Sequence, residues 1–286
     1  MNGPGRMSRL PSFGEDGRML RLLAAGIVVI NGFFPAVWIL LTSLKTEAEL
    51  VSKPITWWPA EATLRNYVQA FEEQPLLRYL GNSLAVAGGA TVLSLLVSGL
   101  AAYAIARLNL RRRQLILTCI VASSMFPLVT LLVPIFETLR SLGLLNTYIA
   151  LILPYTVLNL PICTLVLVSY FQSIPRDLEN AAMVDGCTRL GALWRVVLPL
   201  AAPGVFTAGI LAFVNAWDEF LLALSLNSSP SMRTLPVGIT LYQGEFTFPW
   251  PIISAALIVA IVPVAVLIAV FQERVVGGLT QGGLKG

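Results

Sequence analysis

Residues 250–271 read WPIISAALIVAIVPVAVLIAVF, and this stretch carries no charged side chain. The hydrocarbon core of a bilayer is about 30 Å thick, so an α-helix rising about 1.5 Å per residue needs roughly 20 apolar residues to cross it. The stretch therefore predicts a transmembrane helix. Five further apolar runs of sufficient length precede it, at 22–44, 79–106, 114–136, within 142–171, and at 203–226.

The composition supports a membrane protein. Hydrophobic residues make up 56% of the 286 residues and charged residues only 12%, whereas soluble domains carry about 25% charged residues. The run 22–44 is longer than the apolar core of a secretory signal and lacks a small-residue cleavage site, so it predicts an uncleaved first span. We therefore expect an all-α membrane protein with six transmembrane helices.

The Lys and Arg residues predict the orientation, because cytoplasmic connections are enriched in them. Of the 19 in the chain, 13 fall in the connections on one side. The triplet Arg111-Arg112-Arg113, in a very short connection, belongs to this richer side, which also holds both termini. Both termini are therefore predicted to be cytoplasmic. The remaining six basic residues are Lys45, Lys53, Arg65, Arg78, Arg140 and Arg233.

Several classes of chemistry lack their usual residues. The chain has no His, and its three Cys residues show neither zinc spacing nor a disulfide framework. It has no Gly-x-x-x-x-Gly-Lys-Ser/Thr loop for ATP, and Ser123-Ser124 has no His or Lys nearby to activate a nucleophile. No basic stripe is interleaved with aromatic residues, so we expect no nucleic acid partner, no catalytic residue and no metal site.

The inner connection 172–202 is long and mixed in charge. Glu179 lies in the first turn of a predicted helix, where the positive end of the dipole favours carboxylates. Gly186 can adopt a positive φ and end that helix. Residues 188–197 again have helical periodicity. The connection predicts two short helices joined by a glycine turn on the cytoplasmic face, and a plain hairpin between two spans is the alternative.

This connection resembles the EAA motif of bacterial ABC importer permeases, in which Glu-Ala-Ala, three residues, Gly, nine residues and Ile-x-Leu-Pro form the coupling helices. Leu198-Pro199 closes the pattern in register. Asn180 stands where the motif has its Glu, and Glu179 precedes it, as is common in sugar permeases. Glu179 and Asp185 are then the expected polar contacts to an ATPase. The resemblance assigns ATPase coupling to Glu179, Asn180, Ala181, Ala182, Asp185, Gly186, Leu198 and Pro199.

Shorter strings in the same order also resemble the maltose-type carbohydrate permeases. The resemblance implies the ABC importer type I permease fold in a bacterial inner membrane, with a cytoplasmic segment 1–21, a permease domain 22–286 and a cytoplasmic tail 273–286. The strings are Asn82-Ser83, Ala101-Ala102-Tyr103-Ala104, residues 127–134, Leu142-Gly143-Leu144 with Asn146-Thr147, and the glycine-rich end of the chain from Gly277.

The same resemblance implies an activity and a set of partners. We expect the chain to form half of the path for a sugar or oligosaccharide, opened by alternating access. A second permease subunit would complete the channel within membrane lipid, two ABC ATPase subunits would drive it, and an extracytoplasmic sugar-binding protein would deliver the solute. The chain itself would hold no cofactor, since ATP and Mg would bind to the partner ATPase.

Asp218 and Glu219 are acids well inside a predicted span. A charge at the bilayer centre costs at least about 2.5 kcal/mol, so it normally faces a cavity or a partner. Successive residues of a helix point about 100° apart, so the two cannot face the same way. We predict a polar path that involves Asn215, Trp217, Asp218 and Glu219. A span that ends early, with both acids in water, is the alternative, as is ordinary packing for Trp217.

Two other substrate or transporter classes stay open at this point. Permeases for glycerol phosphate or a polyamine are one alternative, although no span has an internal Arg or Lys to match a phosphate. An ion-coupled secondary transporter is another, and it would need two related halves with interrupted spans. The sequence shows no convincing internal repeat.

Overall fold

The computed structural model describes residues 15–244 and 247–283, and the regular structure of these residues is helical. The chain therefore has the all-α fold that its apolar runs predict. A π-helical stretch, Leu193–Val197, lies between two short α-helices that end at Ala192 and begin at Leu198. The helices are α1 (Glu15–Ser43), α2 (Glu47–Leu50), α3 (Arg65–Glu73), α4 (Leu76–Arg107), α5 (Arg113–Ser123), α6 (Leu128–Ser141), α7 (Tyr148–Ser173), α8 (Arg176–Val184), α9 (Arg189–Ala192), α10 (Leu198–Leu200), α11 (Ala202–Trp217), α12 (Leu221–Leu226), α13 (Leu235–Thr240) and α14 (Trp250–Gly283).

Among the described residues, four helices are long and apolar enough to cross a membrane. They are Leu22–Ser43 within α1, then α4, α7 and Trp250–Phe271 within α14. Two bent pairs also pass the same test, α5 with α6 and Arg189–Leu200 with α11. When each bent pair counts as one span, the total is the six that the sequence predicts.

The two predicted terminal segments are only partly described. Of the cytoplasmic segment 1–21, residues 1–14 lie outside the described residues, and α1 begins at Glu15. Residues 273–283 of the predicted tail continue α14 as a helix, and residues 284–286 lie outside the described residues. The last span therefore extends well past its charge-free core.

The third span is not the continuous helix that residues 114–136 predict. α5 and α6 meet at an angle of 87°. Pro127 explains the break, because it lacks an N–H for the helical ladder and disfavours helical geometry in the residue before it. Its own backbone is extended, with φ −62° and ψ 126°. The span is therefore built from two short helices.

The fifth span is also shorter than its apolar run. α11 ends at Trp217, and the chain turns at Asp218 and Glu219 before α12 begins at Leu221. The predicted run 203–226 is thus divided at its two acids. This agrees with the alternative in which the helix ends early.

α4 and α7 pack side by side through the middle of the protein, and α11 lies against both. The hydroxyl groups of Ser94 and Ser98 on α4 donate to carbonyl oxygens of α7 at 3.4 and 3.3 Å. Gly204 permits a close approach, because a Cβ there would lie 2.2 Å from the ring of Tyr170 on α7. Small residues at such crossings are typical of membrane helices.

The outer end of α4 holds the segment between α12 and α13. The amide of Asn82 donates to the carbonyl oxygens of Ser231 (3.0 Å) and Arg233 (2.8 Å). The hydroxyl oxygen of Ser83 accepts from the N–H of Leu235 at 2.8 Å. Both side chains are buried, so these bonds fix the outer segment to the second span.

Candidate functional site

The coupling loop, residues 172–202, forms the helix–glycine–helix that the sequence predicts. α8 is followed by Gly186, whose φ of 91° is costly for any residue with a Cβ. The N–H of Cys187 donates to the carbonyl of Ala182 (2.9 Å), and that of Gly186 donates to Met183 (3.1 Å). This pair of bonds is a Schellman cap. The turn between the two short helices is therefore fixed by the backbone.

The second helix, Arg189–Leu200, continues past the predicted end at Val197. Its large apolar side chains lie in two environments. Leu193 and Val197 are buried in the core that α4, α7 and α11 share, whereas Leu190 and Trp194 are exposed. One side of this helix is thus packed against the spans and the other side is exposed.

The side chain of Glu179 points into the protein, toward α4. Its side chain is 8% exposed, and its Oε2 lies 3.1 Å from Nε of Arg107, which is 4% exposed at the end of α4. Tyr103, one turn earlier on α4, donates from its hydroxyl to Oε1 of Glu179. The carboxylate is thus buried against α4 in this chain, and its part in ATPase coupling stays a prediction.

Arg107 is also held from a second direction. Its Nη2 donates to the carbonyl of Ile174 at 3.1 Å, just after α7. Arg176, at the start of α8, donates to the carbonyl of Ala106 at 3.4 Å. The Nε–H of Arg107 is not directed at the carboxylate, so the contact with Glu179 is an ion pair and not a hydrogen bond. These contacts join α4, α7 and α8 at one point.

The opposite side of the coupling loop faces away from the spans, and we call it the cytoplasmic surface. Among the other predicted coupling residues, Ala182 and Leu198 are half-buried and Pro199 is exposed. The side chains on this surface are mostly short or polar, which lets another protein approach the backbone closely. Leu190 is one of the exposed residues on this surface. The others, on α8 and the turn after it, are Arg176, Asp177, Leu178, Asn180, Ala181, Val184, Asp185, Gly186, Thr188 and Arg189.

Asn215 lies in the last turn of α11 and Asp218 directly follows the helix, and both are exposed. The amide of Asn215 donates to Oδ1 of Asn159 on α7 at 3.3 Å, and Asn159 is itself buried. Lipid tails cannot hydrogen-bond an exposed amide or carboxylate, so such groups face water or a partner chain. Their placement fits the predicted polar path.

Trp217 and Glu219 lie in different surroundings. Trp217 is buried and stacks on the aromatic ring one turn earlier, with centroids 5.6 Å apart. The carboxylate of Glu219 accepts from the N–H groups of Leu222 (2.8 Å) and Ala223 (3.1 Å) and so caps α12. It also accepts from the hydroxyl of Tyr155 at 2.5 Å. In this chain both side chains therefore hold the local structure together, and their part in the path stays a prediction.

Sequence reasoning missed the role of Tyr103 and Arg107. Tyr103 is part of a string that resembles carbohydrate permeases, and Arg107 is one of the inner basic residues. The signal that could have paired them is their spacing, since residues four apart share one face of a helix. That face lies at the cytoplasmic end of a span, next to a loop that carries an acid.

The arrangement joins the loop to the spans at the end of α4. Within residues 15–244 and 247–283, no group of three or more His, Cys, Asp and Glu side chains could hold a metal ion. The polar groups described above are occupied in joining helices or are exposed at surfaces. They give the loop a fixed position relative to α4.

Comparisons with known proteins agree with this geometry. The family model of the binding-protein-dependent transport system inner membrane component matches residues 76–280. Over 271 residues, 95% of each chain, the protein is 72% identical to the sulfoquinovosyl glycerol transport system permease protein SmoH of Agrobacterium fabrum. It is 36% identical to the trehalose/maltose transport system permease protein MalG of Thermococcus litoralis, over 94% of this chain and 97% of MalG.

A solved structure shares the fold. It is a bacterial ABC transporter involved in the import of the acidic polysaccharide alginate, whose matched chain has a TM-score of 0.77 and 21% identity, covering 92% of this chain and 99% of that chain. The match extends over nearly all of both chains, so the two chains share the helical arrangement described above. The chain belongs to the family of binding-protein-dependent transport system inner membrane components, the multi-pass permease subunits of ABC importers.

Proposed function

We propose that this permease subunit forms half of the path for a sulfonated glycoside of the sulfoquinovosyl glycerol type. The observation that carries the proposal is the 72% identity to a permease of that transport system over 95% of both chains. A neutral disaccharide is the second candidate, because a trehalose/maltose permease is 36% identical. Both candidates are carbohydrates, in keeping with the class that the sequence predicts.

We infer the remaining partners from the family. A second permease subunit completes the path, two ABC ATPase subunits bind ATP and Mg and hydrolyse the nucleotide, and an extracytoplasmic binding protein delivers the glycoside. The predicted spans of this chain contain no internal Lys or Arg. The counter-charge for a sulfonate therefore comes from the binding protein, from the partner permease or from the ends of the spans.

We propose that the cytoplasmic surface of the coupling loop receives the ATPase, and that Glu179 passes its movement to α4. The Schellman cap at Gly186 keeps the two short helices in one orientation. The ion pair with Arg107 joins the first of them to α4. When the ATPase subunits close on ATP, a displacement of the loop then moves α4 with it. This opens one side of the path and closes the other.

We propose that Asn215 and Asp218 contact the solute as it passes. Both are polar and exposed at the end of α11, where exposed polar groups need a partner if they lie at membrane depth. A carboxylate and an amide can bind the hydroxyl groups of a sugar. They would not attract the sulfonate, since Asp218 carries the same charge.

Deletion of the gene tests the proposed substrate. Cells that lack this chain are expected to lose uptake of radiolabelled sulfoquinovosyl glycerol and to regain it with a plasmid copy, while uptake of trehalose stays unchanged. Initial uptake rates measure both. Loss of trehalose uptake with sulfoquinovosyl glycerol uptake intact would contradict the substrate and favour the second candidate.

Substitution of Glu179 tests the coupling role. Glu179→Met leaves the Arg107 guanidinium buried without its partner, and breaking a buried ion pair in this way costs about 3–5 kcal/mol. We expect a lower thermal midpoint of the purified complex and little ATPase stimulation by the loaded binding protein. Glu137→Met, which removes the acid of an exposed ion pair with Arg140 on α6, outside the coupling loop, is the matched control and should resemble the wild type, because exposed pairs contribute little stability.

The double variant Glu179→Met with Arg107→Met separates stability from coupling. It removes both charges, so the thermal midpoint should return toward the wild-type value. Stimulated ATPase activity should stay low, because the ion pair and the hydrogen bond from Tyr103 between α8 and α4 are both still missing. If Glu179→Met alone keeps full stimulation and the wild-type midpoint, the coupling role is wrong.

The neighbouring acids Asp218 and Glu219 should respond in opposite ways. Asp218→Asn changes an exposed side chain, so we expect slower uptake and an unchanged thermal midpoint. Glu219→Gln replaces a carboxylate that accepts three hydrogen bonds by a neutral amide, which is a weaker acceptor. We therefore expect the thermal midpoint to fall by the equivalent of about 1–3 kcal/mol. Uptake assays and thermal unfolding of the same preparations decide this, and the reverse pattern would refute the assignment.

A further inference from the structure

The outer segment between α1 and α3 is closed into a loop on the end of the first span. The N–H of Thr63 donates to the carbonyl of Leu44 at 3.0 Å. The side-chain amide of Asn66, which is buried, donates to the carbonyls of Ser43 and Lys45, both at 2.8 Å. The segment 46–62 therefore leaves the span and returns to the same point.

The charged groups of this loop that make hydrogen bonds are turned inward. Lys45 is 2% exposed, and its ammonium group donates to the carbonyl and hydroxyl oxygens of Thr56. Glu49 accepts from the hydroxyl of Thr56 (2.7 Å) and the N–H of Ala60 (2.9 Å). These bonds, with Lys45 nearby, lower the pKa of Glu49. The loop is thus fixed by polar contacts in its interior.

The apolar side chains of the same loop are turned outward. Val51, Ile55, Trp57 and Trp58 are 81%, 71%, 64% and 74% exposed. This is the reverse of what a loop in water prefers, where the large apolar groups would be covered. A cluster of exposed apolar residues on one small loop indicates contact with an apolar partner.

The depth of the loop follows from its contact with α1. The ring of Trp57 packs edge-on against that of Trp38, with centroids 5.7 Å apart, and the ammonium group of Lys45 lies 5.4 Å from the centroid of Trp38. Trp38 is five residues before the end of the span at Ser43, or about 7.5 Å at 1.5 Å per residue. Trp57 therefore lies near the outer end of a helix that crosses the membrane.

Trp and Tyr concentrate at this depth, where the acyl chains meet the headgroups, because the indole ring is apolar and its N–H can still find a polar partner. The exposed face of α1 next to the loop is itself apolar, with Phe34 53% and Val37 46% exposed. The outward side of the loop is continuous with this membrane-facing surface. Lipid is therefore the occupant that the position favours.

We propose that residues 51–58 form an aromatic anchor that inserts into the outer leaflet of the bilayer, at the boundary between headgroups and acyl chains. The inward bonds of Lys45 and Glu49 hold the loop in the shape that presents these side chains. The anchor fixes the depth of the first span in the bilayer, and with it the depth of α3, which follows the loop. It is independent of the transported solute.

Spin labels in the assembled transporter test the anchor. With the native cysteines replaced by serine, single cysteines at Ile55→Cys and Trp58→Cys are labelled with a nitroxide and the complex is reconstituted in phospholipid vesicles. Glu47→Cys and Glu61→Cys are matched controls, since both residues are exposed on the same loop but polar. The relaxation of each nitroxide by oxygen and by a water-soluble nickel complex is measured.

The anchor predicts a several-fold higher ratio of oxygen to nickel accessibility at 55 and 58 than at 47 and 61. Nickel accessibility at 55 and 58 equal to that at the two control positions would overturn it. Protection of 55 and 58 from both reagents would also overturn it, because the surface would then be covered by protein. Protection that arises only when the binding protein is added would assign the surface to that partner.

Discussion

The buried ion pair between Arg107 and Glu179 is the contact on which the rest of the arrangement depends. Desolvation of two charges largely offsets their attraction, so a buried pair adds little stability over an apolar contact of the same size. Its value here is that it holds α8 against α4, while the hydrogen bond from the hydroxyl of Tyr103 to the same carboxylate sets the orientation of α8. A purely apolar contact could slide, and a sliding contact would transmit less of an applied displacement.

α4 carries this constraint across the membrane. At its inner end, Arg107 holds the coupling loop. Asn82 and Ser83 lie about 25 residues before Arg107, or roughly 38 Å along the helix, and hold the outer segment before α13. Along its length it packs against α7 through small and hydroxyl-bearing residues. One helix therefore links the surface proposed for the ATPase to the outer face, with no flexible connection between the two ends.

Much of this fold could be predicted from the sequence, because membrane helices and glycine turns are local features. The charge-free runs located the spans, and Gly186 marked the turn in the coupling loop. The break at Pro127 and the roles of Glu179 and Glu219 could not be predicted. The sequence of a loop suggests that an acid such as Glu179 is exposed, because the position of the helix that buries it is a tertiary contact. Likewise, a carboxylate in a span such as Glu219 suggests a polar path, because its N–H partners are known only from the structure.

The central claim is that the coupling loop and α4 move as one body. It is tested most directly by the distance between nitroxides at Asp185→Cys on the loop and Leu100→Cys on the exposed side of α4, in the reconstituted complex without nucleotide and trapped with ATP. The account predicts the same narrow distance distribution in both states, while a second pair from position 185 to the partner permease changes. A shift or broadening of the 185–100 distance as large as that of the second pair would contradict it.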